Sequence, residues 1–126
     1  MRMRAYFSAL LAGNIYGTIT PVTIRVEEYL RADGTNPFRR WFEGLPFDAR
    51  HRVTRAISRL EDGNTGAVKW FAGIGELRIH FGPGYRVYLL QDGEELILLL
   101  GGGIKKRQQQ DIADAIFLRR EYRELK

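Results

Sequence analysis

Between Glu76 and Asp111 the chain alternates apolar and polar residues in short runs separated by turns, and no other stretch constrains the fold as strongly. Glu-Leu-Arg-Ile-His-Phe leads to Gly82-Pro83-Gly84, then Tyr-Arg-Val-Tyr-Leu-Leu, a turn at Asp92-Gly93, and Glu-Leu-Ile-Leu-Leu-Leu running into Gly-Gly-Gly-Ile-Lys-Lys-Arg-Gln. Successive side chains on a strand point to opposite sides. Leu77, Ile79 and Phe81 therefore share one face of the first run, and Arg78 and His80 share the other. Short turns holding Gly, Pro and Asp between such runs predict three adjacent antiparallel strands. The third is apolar on both faces, which suits a central or helix-covered position. The face left over carries Arg78, His80, Arg86 and Tyr88, with Lys105, Lys106 and Arg107 where the third strand ends. A cationic surface with one imidazole suits phosphates.

At 126 residues the chain is long enough for one domain with a core of its own. Cysteine is absent, which excludes disulfides, thiolate metal sites and cysteine nucleophiles and fits a reducing, cytoplasmic compartment. His51 and His80 stand apart with no His-x-x-x-His spacing, so no zinc or other metal site is expected. The formal charge is +5 and the pI about 9.8, a balance that favours nucleic acid, an anionic membrane or an acidic protein partner. Arginine outnumbers lysine, which tilts the choice towards phosphate recognition.

Residues 1–20 differ from the rest. Arg2 and Arg4 precede an apolar patch in the outline of a secretory signal, but the patch is short, broken by Ser8 and followed by no small-x-small cleavage site. A spanning helix needs about 20 apolar residues, so no membrane anchor is expected. A loosely ordered extension or an over-called start codon fits better, with the domain occupying residues 21–126. Val22-Thr23-Ile24-Arg25-Val26 reads as a strand joining the later sheet non-locally, ended by a turn at Asp33-Gly34. Asn36-Pro37 opens a helix with Phe38, Trp41, Phe42 and Leu45 on one stripe. After Gly44 and Pro46 a second helix runs from Phe47 to Leu60, its outer face carrying Arg50, His51, Arg52, Arg55 and Arg59. Such a face serves solvation as readily as phosphate contact. Lys69 to Gly75 reads as a loop whose Trp70 and Phe71 pack inward rather than against a base. Helical periodicity returns from Ile104 to Lys126 through Ile112, Ala115, Ile116 and Leu118. The expected fold is α+β: an N-terminal strand, an α-hairpin, a three-stranded antiparallel sheet and a C-terminal helix.

Asp-Gly-Thr-Asn-Pro-Phe-Arg-Arg-Trp-Phe, Glu-Leu-Arg-Ile-His-Phe-Gly-Pro-Gly-Tyr-Arg-Val-Tyr and Leu-Leu-Gly-Gly-Gly-x-Lys-Lys-x-x-Gln, in that order, resemble the addiction-module killer proteins of the RelE/ParE superfamily, the HigB-like toxins of type II toxin-antitoxin systems. The resemblance covers about residues 22 to 122. It implies a RelE-like fold and an mRNA endoribonuclease that enters the ribosome, inhibits translation and is neutralised by a cognate helix-turn-helix antitoxin. It also implies a metal-independent reaction in which the RNA 2'-hydroxyl attacks the adjacent phosphate, with no membrane and no small-molecule cofactor involved.

Carried over by position, Arg86 binds the scissile phosphate, Arg78 and His80 lie on the preceding strand with His80 as acid or base, and Lys105 or Lys106 stabilises the transition state or protonates the leaving group. Arg52, Arg55, Arg59, Tyr88 and Arg107 would bind RNA, while Gln108 and Asp111 would fix the start of the final helix. Some relatives carry a tyrosine in that helix. Asp111-Ile112-Ala113-Asp114-Ala115 has none, leaving Tyr85, Tyr88 or Trp70 for the stacking role. Two alternatives remain at this level: a ParE-like inhibitor of DNA gyrase without nuclease activity, and an inactive relic that keeps only antitoxin binding.

Overall fold

A computed structural model describes Arg4–Ala5 and residues 23–126. Among these the strands are β1 (Arg4–Ala5), β2 (Arg25–Glu28), β3 (Val68–Phe71), β4 (Ile74–Ile79), β5 (Tyr85–Asp92) and β6 (Leu96–Ile104). They lie side by side in the order β1-β2-β6-β5-β4-β3. Helices α1 (Pro37–Glu43) and α2 (Phe47–Glu61) form the expected hairpin, and a turn of 3-10 helix (Lys105–Arg107) leads into α3 (Gln108–Glu124). The architecture is α+β, and the sheet is mixed because β2 runs parallel to β6 while every other neighbour is antiparallel.

The local signals act as their chemistry requires. Asn36 Oδ1 accepts the Arg39 amide at 2.9 Å and Pro37 opens α1 without wasting a donor, so the cap sets where the helix begins. The expected β4–β5–β6 meander forms, and its register sets Arg78 opposite Arg86 and Arg86 opposite Gly103. β6 is central, in line with its two apolar faces. On one face α1 and α2 bury Phe38, Val53, Ile57 and Leu60 against Leu77, Val87, Leu89 and Leu99. On the other, α3 lays Ala115 and Leu118 on Ile74, Tyr88, Leu90, Leu98 and Leu100.

The expected outline needs four corrections. The sheet has more strands than expected, because β1 and β3 add to its two edges, while β2 joins it through β6 in the non-local pairing expected of the N-terminal strand. The first of these additions falls in the supposed extension: Arg4 pairs with Glu27 and Ala5 with Val26. The other expectations for residues 1–20, including the signal-like outline, lie outside the described residues. Lys69 to Gly75 is not a loop, since β3 pairs with β4 through a two-residue turn in which Ala72 and Gly73 both have positive φ, 52° and 81°. Trp70 consequently stands exposed on β3, and only Phe71 packs inward. Of the strand expected from Val22 to Val26, Val22 lies outside the described residues, and among those described the strand begins at Arg25 and runs on to Glu28, with Glu27 and Glu28 buried. Arg39 and Asn36 donate to Glu28, and Arg25 pairs with Glu27 at 3.2 Å, so these carboxylates are not left bare. Lastly, the second sheet face is not open but lies beneath α3. That helix is fastened at its far end by Glu121, which accepts from Tyr29 at 2.8 Å and from Arg31 through a two-point contact at 2.9 and 3.1 Å.

The glycine run of β6 is what lets helices approach from both sides. A Cβ on Gly102 would lie 2.3 Å from the Trp41 ring of α1, and one on Gly103 would lie 1.8 Å from Asp111 Oδ2 of α3, whereas one on Gly101 would meet nothing within 4 Å. We expect Gly102→Ala to lower stability by about 1–3 kcal/mol through overpacking. Gly101→Ala should be neutral or stabilising by about 0.5 kcal/mol, since it only removes backbone freedom from the unfolded chain. Urea-unfolding midpoints of the two variants test this, and equal losses would refute it.

Candidate nucleic-acid interface

Strand β3 ends its pairing at Val68 opposite Leu77, so the last residues of β4 have no neighbour on that side. Arg78 and Ile79 therefore form a sheet edge, His80 follows just beyond the strand, and α2 lies across from them. Arg52, Arg55 and Arg59 occur at i, i+3 and i+7 on α2, one face of a helix. Between helix and edge lies an open cleft of about 600 Å³, lined by these three arginines, Arg78, His80 and Asn64 among others, and no carboxylate is among its lining residues. Arg52 and Arg55 also line a second hollow of about 410 Å³ with Phe47, Asp48, His51 and Phe81. The two hollows thus form one basic trough along α2.

Behind the edge sits a buried carboxylate. Glu76 is 1 % exposed and accepts from Arg78 Nε at 3.0 Å, Gln108 Nε2 at 2.9 Å and Tyr88 Oη at 3.1 Å, with Arg86 Nε at 3.6 Å. Burial pushes its pKa up, but the donors from Arg78, Gln108 and Tyr88 outweigh it and hold the carboxyl below its ordinary range. Glu76 is thus a fixed anion. Burial, followed by the Glu76 charge, raises the Tyr88 phenol far above its usual value, so this hydroxyl is a donor and not a base. Arg78 keeps its side chain 44 % exposed while Glu76 holds its Nε, so the guanidinium is positioned at the cleft rather than left to wander.

Five of the residues singled out by sequence, Arg52, Arg55, Arg59, Arg78 and His80, come together in the cleft. The others do not. Arg86 is only 5 % exposed, pairs with Glu76 and donates to the Gly84 carbonyl at 2.8 Å, so the expectation that it binds a scissile phosphate is corrected: α3 and the 3-10 turn cover its face. Tyr88 is likewise buried and cannot contact RNA, and Tyr85 is buried against the α1–α2 side, so neither offers a stacking surface. Lys105, Lys106 and Arg107 are exposed, but on the 3-10 turn at the end of β6, two strands across the sheet from Arg78. Gln108 and Asp111 do not cap α3, whose start has no side-chain cap. Gln108 reaches across to Glu76, and Asp111 rests on Gly103 with Oδ2 buried and unpartnered, its pKa raised by burial. Sequence reasoning missed Glu76 altogether, although its alternation with Arg78 places it on their common face.

Glu76→Gln removes the charge that compensates buried Arg86, and breaking such a pair costs about 3–5 kcal/mol. The sign with pH follows from the depressed folded value. The stabilisation is present above the unfolded glutamate pKa of about 4.3 and disappears as pH falls through the lower folded pKa. Wild-type and Glu76→Gln stabilities, measured by denaturant unfolding, should therefore differ at pH 7 and converge in acid. A gap that widens in acid would contradict this account.

No helix among the described residues is long and apolar enough to cross a membrane. No protein-family model matches the chain. An uncharacterized protein of Haemophilus influenzae is 42 % identical to it over 89 residues, a match that spans 69 % of this chain and 90 % of that protein. On that identity and coverage, the chain belongs to the same family as this Haemophilus influenzae protein.

Proposed function

We propose that the chain is the toxin of a type II toxin-antitoxin module, a RelE-like mRNA endoribonuclease that acts on the ribosome. The observation that carries the reading is the carboxylate-free cleft in which the α2 arginines face Arg78 and His80. A strand of RNA presents phosphates at regular spacing, and planar guanidiniums grip them without reading sequence. The 2'-hydroxyl attacks the adjacent phosphorus as it loses its proton, the bond to the 5'-oxygen breaks, and that oxygen takes a proton as it leaves. The products are a 2',3'-cyclic phosphate and a free 5'-hydroxyl. His80 is the proton-exchanging group of the cleft, accepting or donating at one of these oxygens. Arg78, held by Glu76, faces the negative charge that grows on the phosphoryl oxygens, where fixed donors are worth the most.

The same basic surface suits inhibition by an acidic or sterically blocking antitoxin. Arg86 serves here as a buried support for Arg78 and Glu76, and the ribosome supplies the placement of the message. Ribosome dependence also places the work in the cytoplasm. Lys105, Lys106 and Arg107, exposed on the 3-10 turn outside the cleft, have no part in the cleft chemistry of this reading.

The test is cleavage of a defined message in a purified translation system, with and without ribosomes. We expect cleavage only with ribosomes, a fall of about 10²-fold or more in His80→Ala, and a smaller fall in Arg55→Ala that steepens with added salt. Absence of cleavage by the folded wild-type chain would overturn the nuclease reading and favour gyrase inhibition or a silent antitoxin-binding protein.

A further inference from the structure

An aromatic column crosses the α1–α2 side of the protein from the sheet to the trough. It begins at Trp41, which packs on Gly102, continues edge-on to Tyr85 at 6.4 Å between ring centroids, and passes to Phe81, whose ring is within 25° of parallel to that of Tyr85 at 6.5 Å. It ends on Arg52, whose guanidinium carbon lies 4.0 Å from the centre of the Phe81 ring. Arg52 belongs to both hollows of the trough, so the column ends where they meet. Beside it stands Phe47, 69 % exposed at the start of α2, with His51 and Arg55 on the same wall.

Phosphate binding needs none of these rings. A cation meant only for phosphate is served by a solvated side chain, yet the guanidinium carbon of this one sits over an aromatic ring, 4.0 Å from its centre, which restricts where its fork can go. Exposed Phe47 is equally without use to a phosphate. Flat aromatic and guanidinium surfaces among cations are what unstacked bases of single-stranded RNA require, since every base has a face to stack and a phosphate to neutralise. Asp48 is the one carboxylate in the smaller hollow, so its wall stays cationic on balance.

We propose that Arg52, seated over the Phe81 ring, and Phe47 form a nucleobase subsite for single-stranded RNA, adjoining the phosphate-binding cleft of Arg55, Arg59, Arg78 and His80. This deepens the nuclease reading and rests on it for the identity of the substrate. The subsite supplies the stacking that Tyr85 and Tyr88, being buried, do not. It takes bases of any sequence, because it offers faces rather than a set of hydrogen-bond donors and acceptors.

The experiment measures equilibrium binding of the full chain to two short fluorescent oligoribonucleotides with identical phosphates, one carrying bases and one abasic throughout, over a salt series and without ribosomes. Wild type should prefer the base-bearing strand by about tenfold. Phe47→Leu, at an exposed position where folding is not at stake, should reduce that preference several-fold. Arg52→Lys, which keeps the charge and loses the plane, should do the same, and both should retain the salt slope of wild type. Equal affinity of wild type for the two strands, no binding of either, or a preference untouched by both substitutions would overturn the subsite. Failure of the nuclease reading appears separately, as intact base preference without ribosome-dependent cleavage.

Discussion

A strand that is apolar on both faces has to be covered twice, and the rest of this fold follows from how β6 meets that demand. Leu98 and Leu100 look towards α3, while Ile97 and Leu99 look towards α1 and α2. Each large apolar side chain removed from water is worth roughly 1.5–3 kcal/mol, so leaving either face bare would forfeit much of a marginal stability. Neither helix layer could seat near the end of β6 if Gly102 and Gly103 carried side chains, because Trp41 and Asp111 fill the space. The glycines weaken the strand locally and allow three layers to close. Parallel pairing with β2 guards the other flank of β6 and brings Arg25–Glu28 to the α1 cap, where Glu28 meets Asn36 and Arg39.

Closing the α3 layer has a cost that the protein meets with charge. Where α3 starts, it covers Arg86 and Glu76, and an isolated buried charge of either kind would be several kcal/mol unfavourable. Together, with Tyr88, Gln108 and Arg78 donating to Glu76, they form a charge-paired network that joins β4, β5 and α3, in which Arg86 Nε lies 3.6 Å from Glu76 without a hydrogen bond. Its outward member is Arg78, so the network that stabilises the helix–sheet junction also orients a guanidinium at the cleft. Asp111, at the same helix start, has a buried Oδ2 without a hydrogen-bond partner, and burial raises its pKa above the ordinary carboxylate value.

Much of this was legible in the sequence, for reasons that can be assigned residue by residue. Alternation and the Gly82-Pro83-Gly84 turn located the β4–β5–β6 meander, and Asn36-Pro37 located α1, because those signals are local. The hairpin joining β3 to β4 escaped notice because its turn uses Ala72 at positive φ, where Asn or Asp would have announced it. The burial of Arg86 and Tyr88 was also hidden. Alternation tells which residues share a face, not what covers it, and the covering helix buries only a narrow stripe through Ala115 and Leu118. Of the candidate site, Arg52, Arg55 and Arg59 were visible as one helix face. Their meeting with Arg78 and His80 depends on β3 stopping short at Val68, a tertiary fact with no local signature.

The division between buried and exposed cations decides how the surface behaves. Arg86 is shielded from salt by its burial and contributes to position alone, whereas the α2 arginines look into an open cleft where charges more than about 8 Å apart are screened at physiological ionic strength. Any ligand gripped by them alone is held by a term that salt erodes. Contacts that bury flat apolar surface against the Phe81–Arg52 stack are much less sensitive to salt, since they depend on area removed from water and on dispersion. On the proposed reading, a trough with both kinds of contact would capture a polyanion through long-range charge and retain it through short-range stacking. The aromatic column gives this part a support in the core, because Phe81, beneath the Arg52 guanidinium, is backed by Tyr85 and Trp41 against Gly102 of the central strand.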